Sequence, residues 1–196
     1  MRITVGAHGQ IELPPVLLNN LRTVHRAKLD PWLERLPVTL ATVLDELDAT
    51  IEPGDPGLSF SLVFFARRRT GERMVIKATV PNEELVAEEA GVHALSEAGI
   101  GPRLLWSDLD RGLLAMERIH PGNTLPTHIP TLSEDARIVG AIGQLAARIA
   151  REVDVEPHRG RLVTVREYTR TLDTYDASSA IWRDHRDEVD RGRELR

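Results

Sequence analysis

The sequence predicts an α+β protein in which an antiparallel five-stranded sheet packs against one helix and is followed by further helices. Residues 62–66 and 74–78 are apolar runs rich in β-branched and aromatic side chains, and the polar turn between them predicts a hairpin. A segment with helix start and stop signals comes next, followed by two shorter apolar runs. Isoleucine and leucine at helical spacing beyond residue 133 add a long helix.

The chain ahead of the sheet, residues 1–48, is predicted to be a helical segment. Residues 14–48 have the pattern of short helices broken by proline, with residues 31–37 between two of them. One helical stripe is predicted from the spacing of Leu36, Leu40, Val43, Leu44 and Leu47. Prolines and glycines at residues 53–57 cannot continue a helix and predict a tight loop between the first two strands of the sheet.

The helix that follows the hairpin has recognisable ends. Asn82 or Pro81 begins it, and Gly99 ends it. Two glutamates in the first turn complement the helix dipole. The buried stripe is predicted to consist of Leu85, Glu88, Val92 and Leu95. A carboxylate therefore occupies a position where the periodicity favours an apolar side chain.

Two more strands are predicted over residues 103–106 and 113–118, separated by a turn rich in Asp and Gly. After a proline-rich linker, Ser133 is predicted to cap a long helix. Its apolar face is predicted to consist of Ile138, Ile142, Leu145 and Ile149. A further helix is predicted near Thr164, and the charged run 183–196 indicates that the sequence stops inside a helix.

The composition excludes several kinds of partner and site. With 30 acidic and 25 basic residues the formal charge is −5, so nucleic acid is not expected as a partner. No run approaches the roughly 20 apolar residues of a membrane span, so membrane association is not expected. The absence of cysteine excludes disulfides, thiolate metal sites and thiol nucleophiles, and favours a cytoplasmic location. Lysine occurs only at Lys28 and Lys77.

Lys77 is the residue that most clearly indicates a binding or catalytic site. A cation on a strand that faces a cleft can hold the phosphates of a nucleoside triphosphate. A desolvated ammonium needs a carboxylate close by, and Glu88 is the candidate, with Glu89 as the alternative if the helix is rotated by one position. The competing interpretation of Lys77 is a strand-end lysine that extends into water. The loop before the second strand would cover the phosphates with backbone N–H groups and serine hydroxyls, at Ser59, Phe60 and Ser61.

Other nucleotide, metal and nucleophile motifs are absent from the sequence. There is no Gly-x-x-x-x-Gly-Lys-Ser/Thr run, and Gly99-Ile100-Gly101 follows a helix and precedes a proline, unlike a dinucleotide fingerprint. No Gly-x-Ser-x-Gly elbow is present. No metal site is predicted, because metal-ligand spacing is lacking at His8, His25, His93, His120, His128 and His158.

Four stretches carry a family resemblance: residues 75–77 together with Glu88, residues 99–105, residues 114–122 and residues 32–37. The first three resemble aminoglycoside phosphotransferases, and the last resembles the streptomycin 6-kinase and hydroxyurea kinase branch of that family. The resemblance extends in order over about residues 30–175. It implies a protein-kinase-like fold, ATP with Mg²⁺ as cofactors, and phosphoryl transfer to a hydroxyl of a small-molecule acceptor, as in antibiotic-resistance kinases.

The resemblance also implies roles for individual residues. Lys77 would hold the α- and β-phosphates, and Glu88 would orient it. Backbone groups of Glu117, Arg118 and Ile119 would bind adenine, with Met116 at the back of the pocket. The implied organisation is an N-terminal helical segment at 1–48, a nucleotide-binding N-lobe at 49–122 and a partial helical C-lobe at 123–196.

The sequence departs from the family pattern in its catalytic loop. Neither the His-Gly-Asp-x-x-x-x-Asn motif nor the Asp that binds magnesium follows, so no catalytic residue or metal ligand is assigned and the chain alone is expected to be inactive. Asp187, in His185-Arg186-Asp187, is a weak alternative, because Gly192 stands where the metal-binding Asn belongs.

Two alternatives to this interpretation remain open. One is a non-catalytic interaction module that keeps the kinase-like sheet for packing. The other is a kinase of a different small molecule, such as a sugar, a choline-like amine or a nucleoside. In each case the exposed helices after the sheet are expected to allow self-association.

Overall fold

The computed structural model describes residues 1–54, 60–120 and 131–163. It begins with a small antiparallel hairpin of β1 (Arg2–Thr4) and β2 (Gln10–Glu12). Ile3 and Ile11, which are register partners, are both buried. The predicted helical segment at 1–48 thus begins with two strands, which the sequence did not reveal because strands of three residues leave no pattern long enough to recognise.

Two helices follow this hairpin, α1 (Pro15–His25) and α2 (Leu29–Glu46), joined by a 3₁₀ turn. The predicted break at 31–37 is wrong, because α2 continues through Pro37. A proline inside a helix removes one hydrogen bond and costs about 3 kcal/mol. The buried stripe of α2 offsets that cost against the core, through Leu29, Trp32, Leu36, Leu40, Val43 and Leu44.

The sheet has five antiparallel strands, which confirms the prediction of an α+β protein with this kind of sheet. They are β3 (Ala49–Glu52), β4 (Leu62–Arg68), β5 (Arg73–Ala78), β6 (Leu104–Asp108) and β7 (Leu113–Glu117). Their order across the sheet is β3-β4-β5-β7-β6, so the last strand lies between two earlier ones. The predicted strands are present with ends shifted by one or two residues.

The two faces of the sheet differ because successive side chains on a strand point to opposite sides. On β5, Met74, Ile76 and Ala78 are buried in one hydrophobic core with α1 and α2. The alternate positions, Val75 and Lys77, lie on the other face. The N-terminal segment and the sheet therefore share a core on one face, while the Lys77 face is left for the elements after β5.

Helix α3 (Glu83–Glu97) begins where the sequence predicts. The Asn82 side chain caps it by accepting a hydrogen bond from the backbone N–H of Leu85 at 2.8 Å. The predicted buried stripe is wrong in part, because the buried residues are Leu85, Glu89, Ala90 and Ala94. The predicted stripe members Glu88, Val92 and Leu95 are partly exposed. The small side chains of Ala90 and Ala94 let this face approach its neighbours closely.

Helix α4 (Leu132–Glu152) begins two residues earlier than predicted, because its cap is Thr131 rather than Ser133. The Thr131 hydroxyl accepts from the backbone N–H of Glu134, as an N-cap does, and donates to the Glu134 carboxylate. Of the predicted apolar face, Ile142 and Leu145 are exposed and Ile138 and Ile149 partly exposed.

A short 3₁₀ turn at Glu156–His158 packs beside α3. The proline-rich linker, the helix expected near Thr164 and the charged run at 183–196 lie outside the described residues. Within the described ranges, no helix combines the length and apolar character needed to cross a membrane.

Arg111 joins the turn between β6 and β7 to the end of α2. Its guanidinium donates to Asp108 at 2.6 Å and to both carboxylate oxygens of Glu46 at 3.0 and 3.1 Å. Burial opposes ionisation of Asp108, but the hydrogen bonds from Arg111 outweigh it and lower the pKa of that carboxyl. A group with a lowered folded-state pKa stabilises the fold above its unfolded pKa and loses that effect in acid.

Asp108→Asn is therefore expected to destabilise the chain at pH 7 by about 1 kcal/mol, a figure reduced for partial exposure. The difference from wild type should shrink as the pH falls below about 4, near the pKa of an unfolded Asp. Urea unfolding at pH 7 and pH 3.5 measures it, with Asp110→Asn in the same turn as the control. An unchanged difference at both pH values would contradict the role given to the Asp108 charge.

Candidate functional site

The Lys77 side chain on β5 reaches the Glu88 side chain on α3. The ammonium Nζ donates to the Oε2 atom of Glu88, and the two side chains are 21% and 35% exposed. Lys77 occupies the non-core face of its strand, and α3 lies over that face, so the pair spans the gap between sheet and helix. The competing interpretation, in which the Lys77 side chain extends freely into water, is therefore wrong.

A cavity of about 410 Å³ lies at this pair. Its walls come from the start of β4, from β5 and its continuation, from the first turns of α3 and from the end of α1. It is lined by Val24, His25, Phe60, Ser61, Val63, Lys77, Thr79, Asn82, Glu84, Leu85 and Glu88. The structure thus brings together four residues singled out from the sequence: Lys77, Glu88, Phe60 and Ser61. Ser59 lies outside the described residues.

His25, at the end of α1, is a cavity residue that the sequence pattern did not indicate. Burial lowers the pKa of His25, and this effect outweighs the opposing charge of Glu84. The imidazole is therefore neutral near pH 7 and adds a hydrogen-bonding group to the wall without a second positive charge. No sequence signal could have identified it, because His25 and Lys77 are far apart in the chain.

Met116 lies on the same face of the sheet as Lys77. Strand β7 pairs with β5, with Val75 opposite Met116 and Lys77 opposite Leu114, so the alternation places all four side chains on one face. The Glu117 carboxylate is turned to the opposite face, where it accepts from Arg103 Nε at 3.2 Å. Ile119 is exposed beyond the end of the strand.

Arg118, the third of the four predicted adenine-site residues, points back over the sheet. Its guanidinium carbon stands 3.6 Å from the centre of the Phe65 ring, and a terminal nitrogen lies 3.5 Å from Glu52 Oε2. Phe65 is opposite Val75 and so belongs to the same face as Lys77. The Glu52 side chain is 16% exposed and also pairs with Arg67. Arg118 thus covers one end of this face.

Glu89, the alternative partner for Lys77, has different contacts. Its Oε2 atom accepts from the Arg161 guanidinium, and its Oε1 atom accepts from the Ser107 hydroxyl at 3.2 Å. Adjacent helix residues point about 100° apart, so only one of the two glutamates can face the lysine. The alternative is therefore wrong, and Glu89 instead joins α3 to β6 and to the segment after the 3₁₀ turn.

Two of the histidines whose sequence spacing predicts no metal site come together with a glutamate in the fold. His93 and Glu97, one turn apart on α3, meet His158 of the 3₁₀ turn. Their ligand-type atoms all lie within 4.8 Å of one another, a grouping that could hold a metal ion. The sequence spacing of His93 and Glu97 is visible, but the approach of His158 depends on the tertiary fold.

No protein-family model, curated protein or solved structure matches the chain. The fold and the site together define an α+β protein with an ion-paired lysine in a cavity between a sheet and a helix. Asp187, the weak candidate for a catalytic residue, lies outside the described residues.

Proposed function

We propose that the chain is the nucleotide-binding part of a small-molecule kinase with a protein-kinase-like fold, and that Lys77 binds the phosphates of ATP. The observation that carries the proposal is the Lys77–Glu88 ion pair at a cavity beside the loop before β4. In kinases the phosphate-binding lysine stands on the third strand of the small lobe and pairs with a glutamate on the helix that follows. Lys77 stands on the third strand of the five-stranded sheet, and Glu88 on the next helix.

The ion pair suits phosphate binding for an electrostatic reason. An ammonium taken out of water is costly unless a carboxylate compensates it, and an ion pair at a packed position is often no more stable than an apolar pair. Stability alone therefore gives little reason to place Lys77 and Glu88 here. A polyphosphate entering the cavity would find a cation already held in place, which lowers the ordering cost of binding.

The remainder of the nucleotide would lie along the same face of the sheet. Val63, Val75 and Met116 form an apolar strip there, running from Lys77 toward the end of β7. A flat aromatic base packs well on such a strip, and backbone groups after Met116 could pair with its edge. Phe60 and Ser61 stand at the phosphate end, where backbone N–H groups and a hydroxyl can donate to anionic oxygens.

The acceptor in this proposal is a hydroxyl group of a small molecule such as an aminoglycoside, and the location is the cytoplasm. Kinases also require magnesium, but the described cavity does not fit that ion well. Its carboxylates are Glu84 and Glu88, and Glu88 is engaged by Lys77. Magnesium favours several oxygen ligands at once. We therefore derive no transfer step from these residues and expect the chain alone to bind nucleotide without turnover.

The test is a titration of the full chain with a fluorescent ATP analogue, checked by competition with ATP. Lys77→Met is expected to weaken binding about 10- to 100-fold, which corresponds to losing a hydrogen bond to a charged group. Lys28→Met is the matched control, because Lys28 is the only other lysine and does not line this cavity. Equal binding by wild type and Lys77→Met would overturn the proposal.

The second candidate is a non-catalytic module, favoured by Arg118, whose guanidinium stands over the Phe65 ring at one end of the face on which a nucleotide would lie. Comparing nucleotide binding by the wild type with that by the double variant Lys77→Met/Glu88→Leu separates the two. If the chain is a module that uses the sheet only for packing, the double variant keeps its stability and even the wild type shows no nucleotide binding. The kinase proposal expects the same variant to stay folded and to lose a binding that the wild type has.

A further inference from the structure

We propose that His93, Glu97 and His158 form a binding site for a transition-metal cation of the zinc class. The site lies on the end of α3 opposite its N-terminal cap, and it contains none of the residues around Lys77. It is independent of the proposed nucleotide binding. Two imidazoles and one carboxylate are a ligand set that zinc uses in proteins, commonly with the fourth position open to water.

The distances suit such an ion. His158 Nε2 lies 3.3 Å from Glu97 Oε2, and His93 Nε2 lies 3.7 Å from Glu97 Oε1. Ligands about 2.0–2.1 Å from a tetrahedral zinc ion are separated by about 3.3 Å. The two distances above go to different oxygens of Glu97, and one atom from each residue lies within 4.8 Å of the others, so side-chain rotations would close the set on one cation. Both histidines direct the same ring atom, Nε2, toward the carboxylate.

The surroundings also favour a cation over an empty cluster. The side chain of His158 is only 5% exposed. Its imidazole packs against that of His93, with ring centres 5.1 Å apart. The site sits at the C-terminal end of α3, where the helix dipole favours positive charge. The last turn of α3 carries no basic residue, so a bound cation would supply the charge that this helix end lacks.

Binding would have a structural consequence. His93 and Glu97 belong to α3, whereas His158 belongs to the 3₁₀ turn after α4. A shared ion would fasten that turn to the helix. The Arg161–Glu89 ion pair joins the same two segments one to two turns away, so the metal would add a second link beside an existing one.

The test uses the untagged full chain, stripped of metal with a chelator and titrated with Zn²⁺ by calorimetry. One ion per chain is expected. His93→Gln and Glu97→Gln are each expected to weaken binding at least about 10-fold. His8→Gln is the matched control: His8 Nε2 also stands beside a carboxylate, 3.2 Å from Asp45 Oδ1, but away from the cluster. It should bind as wild type does.

A second measurement does not depend on any variant. Co²⁺ in a site with nitrogen and oxygen ligands and low coordination number gives visible absorption bands that an octahedral aqueous ion lacks. The wild-type chain should develop these bands with saturation at one Co²⁺, and added Zn²⁺ should remove them. Absence of stoichiometric binding, or unchanged binding by His93→Gln, would overturn the proposal. The cluster would then be a carboxylate shared by two histidines without a metal.

Discussion

Reversing the charge at position 77 is expected to abolish nucleotide binding and to weaken the fold. Lys77→Glu places a carboxylate against Glu88 on a partly buried surface, where like charges repel each other and also repel a polyphosphate. We expect about 2 kcal/mol of destabilisation, below the range for a fully buried pair because both side chains are partly exposed. ATP binding should fall by more than about 100-fold, the combined effect of a lost cation and an added anion.

The double variant Lys77→Glu/Glu88→Lys distinguishes phosphate binding from packing. It restores the ion pair with its direction exchanged, so most of the lost stability should return. The ammonium now belongs to α3 and no longer projects from the sheet beside the start of β4, so ATP binding should stay absent. Denaturant unfolding and ATP titration of the same samples measure the two effects. Recovery of ATP binding together with stability would show that the cation need not come from the sheet.

The other large effect is expected at Gly112, in the turn between β6 and β7. Its φ of +78° is in the region that glycine adopts readily, and a Cβ added there would stand 2.0 Å from the carbonyl oxygen of Thr79. The backbone N–H of Thr79 also donates to the Gly112 oxygen at 2.9 Å, so the two segments cannot separate without losing that hydrogen bond. Gly112→Ala should therefore cost about 3–5 kcal/mol, from backbone strain together with the steric clash.

Gly71→Ala provides the control for this substitution. Gly71 has a φ of +94°, but nothing lies within 4 Å of the position its Cβ would occupy. Its cost should be limited to the backbone strain, about 1–2 kcal/mol. Urea unfolding of both variants gives the difference. Equal costs would mean that the close approach at Thr79 contributes nothing, and that the turn can shift to accept a side chain.

The parts of this fold that can be predicted are those specified by residues close to one another in the sequence. The hairpin of β4 and β5 has strong strand formers on both sides of a polar turn, and α3 has Asn82 at its start and Gly99 past its end. Lys77 could be singled out because lysine is so rare in this chain. Glu88 could be singled out because a carboxylate interrupted an apolar stripe.

Features that depend on distant residues could not be predicted in this way. Helix α2 continues through Pro37 because its buried residues pack into the core shared with the sheet. The residues next to Pro37 in the sequence do not indicate this packing. His25 lines the cavity because it is the last residue of α1, and this helix ends beside the cavity. The meeting of His158 with His93 likewise depends on how α4 returns the chain to α3. In each case the deciding contact is long-range in sequence.

The strand order of the sheet has a consequence for how the chain emerges during its synthesis. Strand β6 is made before β7 but lies at the outer edge, where it pairs with β7. At elongation rates of about 5–20 residues per second, β7 is completed about 0.5 to 2 seconds after β6. During that interval Leu104 and Trp106 have no strand to pair with. A ribosome-bound chain stalled at a length at which β6 but not β7 has emerged should therefore be a better substrate for chaperones than one in which β7 has emerged as well.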